Sequence, residues 1–347
     1  MRFGELAADV VVIGAGQAGL SATFHLKRRG VDHLTLDAST APGGAWLQRW
    51  DTLTVESLNS IFGLPLFRAP SLAAEEKAST AVPAYFADFE RRMGLNILRP
   101  VRVLTVRKSG GEFLVDSTAG RVRARAVINA TGTWDNPLRA DYPGQGSFAG
   151  RQIHTRDYQG PEEFAGQRVG VVGAGISALQ HLEEISRHAE TFWYTRREPE
   201  FSARFDGRGV EERVAGTVER GEPARSVVSY TGLNPRTDYV VAARQRGVLR
   251  RREMFTSIVP EGVVAADGSV TPLDALVWGT GFRPSISHLS PLGLVNERGG
   301  VAVNGTAATS EPMVHLIGFG PSQSTVGANR AGREAAVSLR RVLGEKK

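Results

Sequence analysis

Apolar runs that end in glycine occur twice along the chain, each followed by a segment with helical spacing and then a second apolar run. This pattern predicts a buried parallel strand, a helix and another parallel strand, which together form a β-α-β unit. The predicted strands lie at 10–13 and 34–36 in the first unit and at 169–172 and 191–194 in the second, and the predicted helices lie at 19–29 and 177–188. The repetition indicates an internal duplication of a nucleotide-binding unit.

Between the two units the hydrophobic pattern changes to short alternating runs separated by glycine-containing turns. Such alternation is typical of antiparallel strands, and we predict a β-meander beside the parallel sheet. Its strands are predicted at 101–106, 112–116 and 122–129. The other predicted elements are a helix at 83–93 that opens on Pro83, strands at 273–279 and 314–318, and a closing helix at 324–343. The arginine-rich stretch 202–252 predicts no more than a helical or irregular insertion.

The composition fits a soluble globular protein of two domains, with 347 residues, 41% apolar and 22% charged side chains. The chain has no cysteine, which excludes disulfides, thiolate metal sites and the dithiol chemistry of disulfide reductases. A cysteine-free chain fits a reducing cytoplasm, where we expect the protein to act. The net charge of +6 comes largely from arginines spread along the chain, which favours a solvated surface over a nucleic-acid-binding patch.

Several other kinds of site and segment are not expected. The first apolar run follows an acidic residue and breaks at Gly14, so we expect no signal peptide, and no run approaches the roughly 18 apolar residues of a membrane span. The sequence has no metal-ligand spacing, no P-loop and no serine nucleophile elbow, so we expect no metal. It leaves a homodimer open.

The first unit contains residues 14–19, Gly-Ala-Gly-Gln-Ala-Gly, between its strand and its helix. In such a loop Gly14 permits the tight turn, Gly16 lets the backbone approach a pyrophosphate, and Gly19 allows close packing of helix on strand. The helix N-terminus presents amide donors and a partial positive charge to the phosphates. Asp37, at the end of the second strand, can accept hydrogen bonds from an adenosine ribose with a free 2′-hydroxyl, which suits FAD or NAD.

The second unit contains residues 173–178, Gly-Ala-Gly-Ile-Ser-Ala, with Ala178 in place of the third glycine. Its second strand ends not in an acid but before Arg196 and Arg197. Cations at this position favour the 2′-phosphate of NADPH, although a solvated arginine pair or a clamp on another phosphate are alternatives. Two dinucleotide sites in one chain imply hydride transfer from a nicotinamide to a flavin, so we expect FAD and NADPH as cofactors.

Residues 148–158 carry a resemblance to a known family. Phe148, Gly150, His154 and Tyr158 match the F-x-G-x-x-x-H-x-x-x-[FY] pattern of the flavin-containing monooxygenases, and the segment lies just before the second glycine loop, as it does in that family. Baeyer–Villiger monooxygenases have a similar segment with Trp where this chain has Tyr158. The chain thus resembles the class B flavoprotein monooxygenases, in their compact bacterial form.

Other segments extend the resemblance. Residues 42–46 look like the G-G-x-W segment of these families, and residues 130–133 and 279–282 look like the two A-T-G linkers that join their domains. In the second linker Gly279 replaces the usual alanine. The resemblance covers most of the chain and is weakest at 202–270.

The resemblance implies an α/β fold of two Rossmann-like dinucleotide-binding domains with an antiparallel β-meander. We expect a discontinuous FAD-binding domain at 1–149 and 281–347, into which an NADPH-binding domain at 150–280 is inserted. The active site is expected in the cleft where the flavin ring meets the nicotinamide.

The predicted cofactor contacts follow these motifs. Around the first loop, the linkers and the closing helix they are Gly14, Gly16, Gln17, Ala18, Gly19, Asp37, Ala38, Gly44, Ala45, Trp46, Val103, Ala130, Thr131, Gly132, Gly281, Gly320 and Thr325. Around the second loop they are Gly173, Gly175, Ile176, Ser177, Ala178, Arg196 and Arg197. The helix that opens near Thr325 would point its positive end toward the flavin ring and stabilise the reduced, anionic flavin.

Asn59 and His154 are the catalytic candidates. The resemblance implies an asparagine near the flavin, where the Asn59 amide could bind the flavin hydroperoxide or the substrate, and a turn-capping Asn59 is the alternative. For His154 we favour a hinge or structural role between the domains over direct chemistry. Trp46 and Trp134 are expected to be packing or flavin-edge residues.

The resulting hypothesis is a flavin-dependent monooxygenase that uses NADPH and O2. NADPH reduces FAD, O2 forms a flavin hydroperoxide, and a soft nucleophile (a sulfide or an amine) or a ketone takes one oxygen atom. One alternative is an NADPH-dependent flavin reductase or oxidase that passes electrons to a quinone, O2 or a partner protein. Another is a non-catalytic flavoprotein that acts as a redox sensor. The segment 148–158 favours the monooxygenase, and the intact second glycine loop argues against the sensor.

Overall fold

The computed structural model describes residues 2–58, 63–69, 71–203, 207–224, 230 and 232–344. The strands in these residues are β1 (Glu5–Ile13), β2 (His33–Leu36), β3 (Ile97–Leu98), β4 (Val103–Ser109), β5 (Glu112–Ser117), β6 (Arg121–Asn129), β7 (Arg151–His154), β8 (Arg168–Val172), β9 (Glu190–Thr195), β10 (Arg251–Glu253), β11 (Ser257–Val259), β12 (Gly262–Val264), β13 (Val270–Pro272), β14 (Ala275–Trp278), β15 (Val303–Asn304), β16 (Ala307–Ala308) and β17 (Val314–Leu316). The α-helices are α1 (Gln17–Arg28), α2 (Ala78–Met93), α3 (Ile176–Ile185), α4 (Gly207–Glu219), α5 (Asp238–Gln245) and α6 (Thr325–Gly344).

The first sheet is built around β1, which pairs in parallel with β2 on one side and with β6 on the other. The parallel order β17-β6-β1-β2-β3 is extended by two antiparallel groups, β4 and β5 against β6, and β15 and β16 beside β17. Val10, Val11 and Val12 of β1 are fully buried. A parallel strand that is covered on both faces has a continuous apolar sequence, which is why this strand could be predicted.

The two faces of the first sheet are covered by different helices. On one face Val10 and Val12 pack against α1 and α6, and a Cβ added at Gly332 of α6 would lie 2.7 Å from the Ser21 Cβ of α1. On the other face the core contains residues of the meander and three valines of α4 at a spacing of four, which lie on one side of that helix. These valines are Val210, Val214 and Val218. The helix α4 therefore packs against the first sheet, although it follows β9 in the chain.

The second sheet contains β7 to β10 and β14, all parallel, in the order β10-β9-β8-β14-β7. Helix α3 packs against it through Leu179, Leu182 and Ile185, which are fully buried. The strands β11 to β13 form a small antiparallel sheet. In the described part of the chain, no helix has both the length and the apolar character that crossing a bilayer requires.

The linkers between the two sheets run side by side. The Leu138 N–H donates to the Gly281 carbonyl (2.9 Å), and the Ser285 N–H donates to the Gly132 carbonyl (2.9 Å). The Thr131 hydroxyl adds a 2.6 Å hydrogen bond to the Ser285 carbonyl. The ends of both sheets are thereby tied together by backbone pairing, as a hinge between two units requires.

The predicted α/β class, with two dinucleotide-binding units and a meander, is confirmed. The predicted start of the second helix was wrong, because α2 begins at Ala78 and Pro83 lies inside it. The Ala78 N–H is bonded to the Leu53 carbonyl (2.8 Å), so a tertiary contact sets the start of the helix in place of the proline. The strands β7 and β10 to β13 had no prediction, since they are short and mostly partly exposed.

Candidate functional site

The first glycine loop joins β1 to α1 in a turn that has no room for side chains at two of its glycines. Gly14 has φ +94°, its N–H donates to the Leu36 carbonyl (2.7 Å), and an added Cβ would lie 2.7 Å from the Ala130 carbonyl oxygen. A Cβ at Gly19 would overlap the carbonyl oxygen of Gly14. At Gly16 an added Cβ would meet no atom within 4 Å. The turn and the helix contact thus require two of the glycines, while the backbone at Gly16 is open to a ligand.

Several predicted contact residues converge on this loop. A Cβ at Gly44 would lie 3.0 Å from the Gly16 Cα, so the G-G-x-W segment lies directly against the loop. Gln17 donates from its side-chain amide to the Thr325 carbonyl (3.2 Å), which holds the start of α6 beside the start of α1. Two helix N-termini with partial positive charge therefore open toward the same region.

Asp37, at the end of β2, lies in a buried ionic cluster that the sequence did not reveal. Arg99 donates from Nε to one Asp37 carboxylate oxygen (2.7 Å) and from both terminal nitrogens to Glu90 (2.7 and 2.8 Å). The side chains of Asp37, Glu90 and Arg99 retain only 8, 11 and 10% of their exposure. Arg99 and Glu90 thus fix the orientation of Asp37.

The second glycine loop, between β8 and α3, repeats the geometry of the first. Gly173 has φ +138°, its N–H donates to the Tyr194 carbonyl (2.9 Å), and a Cβ there would overlap the Gly279 carbonyl oxygen. At Gly175 an added Cβ would again meet nothing within 4 Å. Ala178 occupies the third position because Gly279, opposite it, has no side chain.

Arg196 and Arg197 follow β9 and are both exposed. A third arginine lies beside them, because Arg251 of the neighbouring strand β10 donates from Nε to the Thr195 hydroxyl (2.9 Å). Three guanidinium groups therefore border the end of β9. The sequence did not predict Arg251 as a site residue, because no sequence motif indicates that β10 pairs with β9.

His154 ends β7, is fully buried, and uses both ring nitrogens. The Arg156 N–H donates to Nδ1 (3.1 Å), so the proton lies on Nε2, which donates to the Gly281 carbonyl (3.0 Å). Burial lowers the pKa of His154 to about 4. The ring is therefore neutral near pH 7 and connects β7 to the second linker.

Tyr158 connects the second unit to a loop that follows the G-G-x-W segment. Its hydroxyl donates to a Glu184 carboxylate oxygen on α3 (2.9 Å), and the same oxygen accepts from Thr52 (2.8 Å). Burial raises the pKa of Glu184. Trp50 stands edge-on to Tyr158, with ring centroids 6.0 Å apart. Tyr158, at the end of the segment 148–158, thus packs between loop and helix in this structure.

Trp134 and Phe282 bring the two linkers together through their rings, which are stacked with centroids 4.8 Å apart. His154 stands edge-on to Phe282 at 4.9 Å. Trp46 packs at the boundary of two apolar clusters, one in each unit. These aromatic side chains line the junction of the two units.

The remaining predicted residues lie near the first loop, in the core of the first sheet, or outside the described part of the chain. Near the first loop, Gly318 would place a Cβ 3.5 Å from that of Ala18, while a Cβ at Gly320 would lie 2.7 Å from Val218 of α4, so packing explains glycine there. Val103 starts β4 and is partly buried in the core of the first sheet. Asn59 lies outside the described residues.

Both loops fit the pyrophosphate of a dinucleotide. Each has a first glycine with positive φ, an open second glycine and the N-terminus of a helix behind it, which is the arrangement that presents backbone N–H groups to phosphates. Neither loop carries a cationic side chain of its own within the glycine motif. The arginines of the second unit lie at the far end of β9, where an adenosine ribose would lie.

Comparison with known proteins identifies relatives. A model of the family described as pyridine nucleotide-disulphide oxidoreductase matches residues 11–219. A flavin-containing monooxygenase from Stenotrophomonas maltophilia superposes with a TM-score of 0.85 at 38% identity, covering 97% of this chain and 99% of that one.

Two relatives are more distant in sequence. The Arabidopsis thaliana protein named flavin-containing monooxygenase FMO GS-OX-like 3 is 24% identical over 326 residues, which are 82% of this chain and 64% of that protein. A ferredoxin–NADP reductase from Thermus thermophilus is 27% identical over 349 residues, which cover 96% of this chain and 94% of that protein.

These findings confirm the resemblance seen in the sequence. The disulphide chemistry in the family's name is not available to this chain, which has no cysteine. The match to the Stenotrophomonas protein extends over nearly the whole of both chains. The chain therefore belongs to the pyridine nucleotide-disulphide oxidoreductase family and, within it, is a flavin-dependent monooxygenase of the class B type.

Proposed function

We propose that the first unit binds FAD, that the second binds NADPH, and that the enzyme transfers one oxygen atom from O2 to a sulfide or an amine, or inserts it beside a ketone. The observation that carries the proposal is that each unit has an open second glycine and that the linkers between the units hydrogen-bond to each other. Two dinucleotides held by these loops can approach each other at the junction.

FAD in the first unit is supported by Asp37. Its carboxylate is fixed by Arg99 through one oxygen, which leaves the other oxygen for a ribose hydroxyl. A 2′-phosphate at this position would face a carboxylate and would be repelled. We therefore assign the adenosine end of FAD to the space beside Asp37.

NADPH in the second unit is supported by the arginines at the end of β9. Arg196 and Arg197 are exposed, and Arg251 lies against Thr195 beside them. Guanidinium groups bind phosphate oxygens in pairs of hydrogen bonds, which NADH could not use. We assign the 2′-phosphate of NADPH to these arginines.

The chain's own residues position the reaction. When bound, the flavin supplies the acceptor for hydride and the centre at which oxygen is activated. His154 holds the second linker through the Gly281 carbonyl and, being neutral with both nitrogens engaged, acts as a positioning residue. Trp134 and Phe282 cover the junction with stacked rings and exclude water from it.

The test is oxygen labelling. Protein loaded with FAD is supplied with NADPH, methyl phenyl sulfide and ¹⁸O₂. The proposal predicts one labelled oxygen atom in the sulfoxide for each NADPH consumed. Hydrogen peroxide formed in equal amount to the NADPH consumed, for sulfides, amines and ketones alike, would contradict it.

A second candidate is an NADPH-dependent reductase that passes electrons to a quinone, to O2 or to a protein. It is favoured by the similarity to the Thermus ferredoxin–NADP reductase over nearly the whole chain. The same labelling experiment separates the two candidates if it includes a quinone and an oxidised ferredoxin as acceptors. A reductase would reduce these faster than O2 and would leave the sulfide unlabelled.

A further inference from the structure

Arg49 lies on the short segment that follows the G-G-x-W motif, with its guanidinium between two indole rings. Its Cζ is 4.1 Å from the centre of the Trp134 ring and 5.4 Å from that of Trp46. A guanidinium at these distances is attracted by the aromatic faces, and the stacking fixes its plane. The charge is therefore held in one place before any ligand arrives.

This cation has no anionic partner in the described part of the chain. The Arg49 Nε is buried and its N–H donates to no acceptor among the described residues, none of which forms an ion pair with this side chain. Burial alone lowers the pKa of Arg49 to about 10. Arg49 as a whole is only half-buried, but a partly desolvated cation without a counter-charge costs stability, and such a group in a cleft is a candidate for binding an anion.

Arg99 is the informative contrast within the same protein. Its side chain is only 10% exposed, and it binds Asp37 and Glu90 through all three guanidinium nitrogens. The described residues thus supply two carboxylates to the arginine beside the predicted FAD ribose site and none to Arg49. Arg49 is left with hydrogen-bonding capacity at the junction of the two units.

The position of Arg49 is that of a substrate contact. Trp134 belongs to the first linker and stacks on Phe282 of the second, and Trp46 follows Gly44, which touches the first glycine loop. The phosphates of both dinucleotides already have backbone sites at the open glycines. The anion that Arg49 lacks is therefore best supplied by the third component of the reaction.

We propose that Arg49 binds the carboxylate of the substrate, so that the enzyme oxygenates a sulfide, amine or ketone that carries a carboxylic acid. This inference rests on the proposed monooxygenase function and names its substrate class. The planar guanidinium offers parallel N–H donors that match the two oxygens of a carboxylate. A dinucleotide phosphate offers the same chemistry, and the experiments below distinguish the two sources.

The first experiment measures binding without turnover, on FAD-loaded protein. The probe is phenylacetate, with phenylacetamide as its neutral counterpart, and the signal is tryptophan fluorescence, since Trp46 and Trp134 flank the site. Phenylacetate should change the fluorescence saturably, and phenylacetamide should bind at least about tenfold more weakly. Arg49→Met should abolish this difference and Arg49→Lys should retain part of it. Equal binding of acid and amide by the unaltered protein would overturn the proposal.

The control is Arg92→Met. Arg92 also lies over an aromatic ring, with its Cζ 5.6 Å from the Phe67 ring, but it is exposed and pairs with Asp88. The Arg92→Met substitution removes one stacked arginine away from the junction of the two units, so the preference for phenylacetate over phenylacetamide should stay unchanged. Loss of the preference in this variant too would show that it does not depend on Arg49.

The second experiment compares turnover of 4-(methylsulfanyl)phenylacetate and its amide, which share the same sulfide. The kcat/KM for the acid should exceed that for the amide by about tenfold or more, and Arg49→Met should lower the kcat/KM for the acid far more than that for the amide, so that this ratio is lost. If Arg49→Met instead raises the KM for NADPH or releases FAD, Arg49 binds a dinucleotide and the proposal is wrong. If neither sulfide is oxygenated, the monooxygenase function fails, while the fluorescence titration still decides the role of Arg49.

Discussion

The two glycine loops form the same turn with different side chains at the point where helix and sheet touch. In both, the first glycine donates to the carbonyl of the neighbouring strand, Gly14 to Leu36 and Gly173 to Tyr194. In both, the second glycine is open. The backbone that would bind a dinucleotide is thus the same in the two units.

The difference lies in which partner carries a methyl group. In the first unit Gly19 faces Ala130, and in the second Ala178 faces Gly279. Each contact contains one Cβ. A Cβ at Gly279 would lie 2.7 Å from that of Ala178, whereas a Cβ at Gly19 would lie 3.3 Å from that of Ala130 and only 1.9 Å from the Gly14 carbonyl oxygen. The third residue of the loop motif and the first residue of the linker therefore depend on each other. This explains why the second unit has both Ala178 in place of the third glycine and Gly279 in place of the linker alanine.

Gly19→Ala should have the largest effect. The added Cβ would overlap the Gly14 carbonyl oxygen, which is backbone and cannot move aside without opening the turn. We expect a loss of roughly 3 kcal/mol or more in the free energy of unfolding, together with loss of bound flavin. Denaturant unfolding and the flavin-to-protein absorbance ratio would measure both. Gly16→Ala is the matched control, because its Cβ meets no protein atom, and a Gly19→Ala variant as stable as this control would contradict the packing account.

Replacing Arg196 and Arg197 with glutamine should have the next largest effect and should separate the two units by cofactor. Loss of charge-assisted hydrogen bonds to a 2′-phosphate should raise the KM for NADPH by at least about tenfold and leave the KM for NADH nearly unchanged. Steady-state kinetics with both nucleotides would measure this. The same variant should keep its FAD. Equal increases in the KM values for NADPH and NADH would show that these arginines do not bind the 2′-phosphate.

The smallest effect is expected at the contact between Ala178 and Gly279. Gly279→Ala alone should destabilise the protein by about 1–2 kcal/mol, because two Cβ atoms would be forced together. Adding Ala178→Gly, which recreates the arrangement of the first unit, should recover part of this loss. A coupling energy of about 1 kcal/mol in the double-mutant cycle is expected, measured by denaturant unfolding. Strictly additive effects would mean that the two positions do not share one space.

The sequence was sufficient for the parts of the fold that repeat a known pattern. The buried strand at 10–13, the glycine loops and the closing helix are visible because continuous apolar runs and glycine spacing arise from local geometry. The helix α4 was not visible as part of the first sheet's core. Its three valines indicate a helix face, but nothing in the local sequence states which sheet that face covers.

In the candidate site, too, local sequence predicted some residues and not others. The glycine positions could be predicted because each depends on local geometry, either a positive φ or a backbone open to a ligand. The ionic cluster of Arg99, Glu90 and Asp37 and the unpaired Arg49 could not, since they depend on side chains brought together from separate segments. Asn59 stays a prediction outside the described residues. The hydrogen bonds of His154 to the Arg156 N–H and the Gly281 carbonyl fit the structural role that the sequence favoured, which also stays a prediction.

We propose that the first loop holds FAD and the second holds NADPH, and one pair of variants tests this assignment most directly. Gly16→Val and Gly175→Val each fill an open space without a protein clash at the Cβ. Their flavin content and the anaerobic bleaching of the flavin by NADPH are measured side by side. We predict that Gly16→Val is purified without flavin, and that Gly175→Val retains its flavin but is no longer bleached by NADPH. Flavin loss in Gly175→Val with retention in Gly16→Val, or normal bleaching in both, would contradict the assignment.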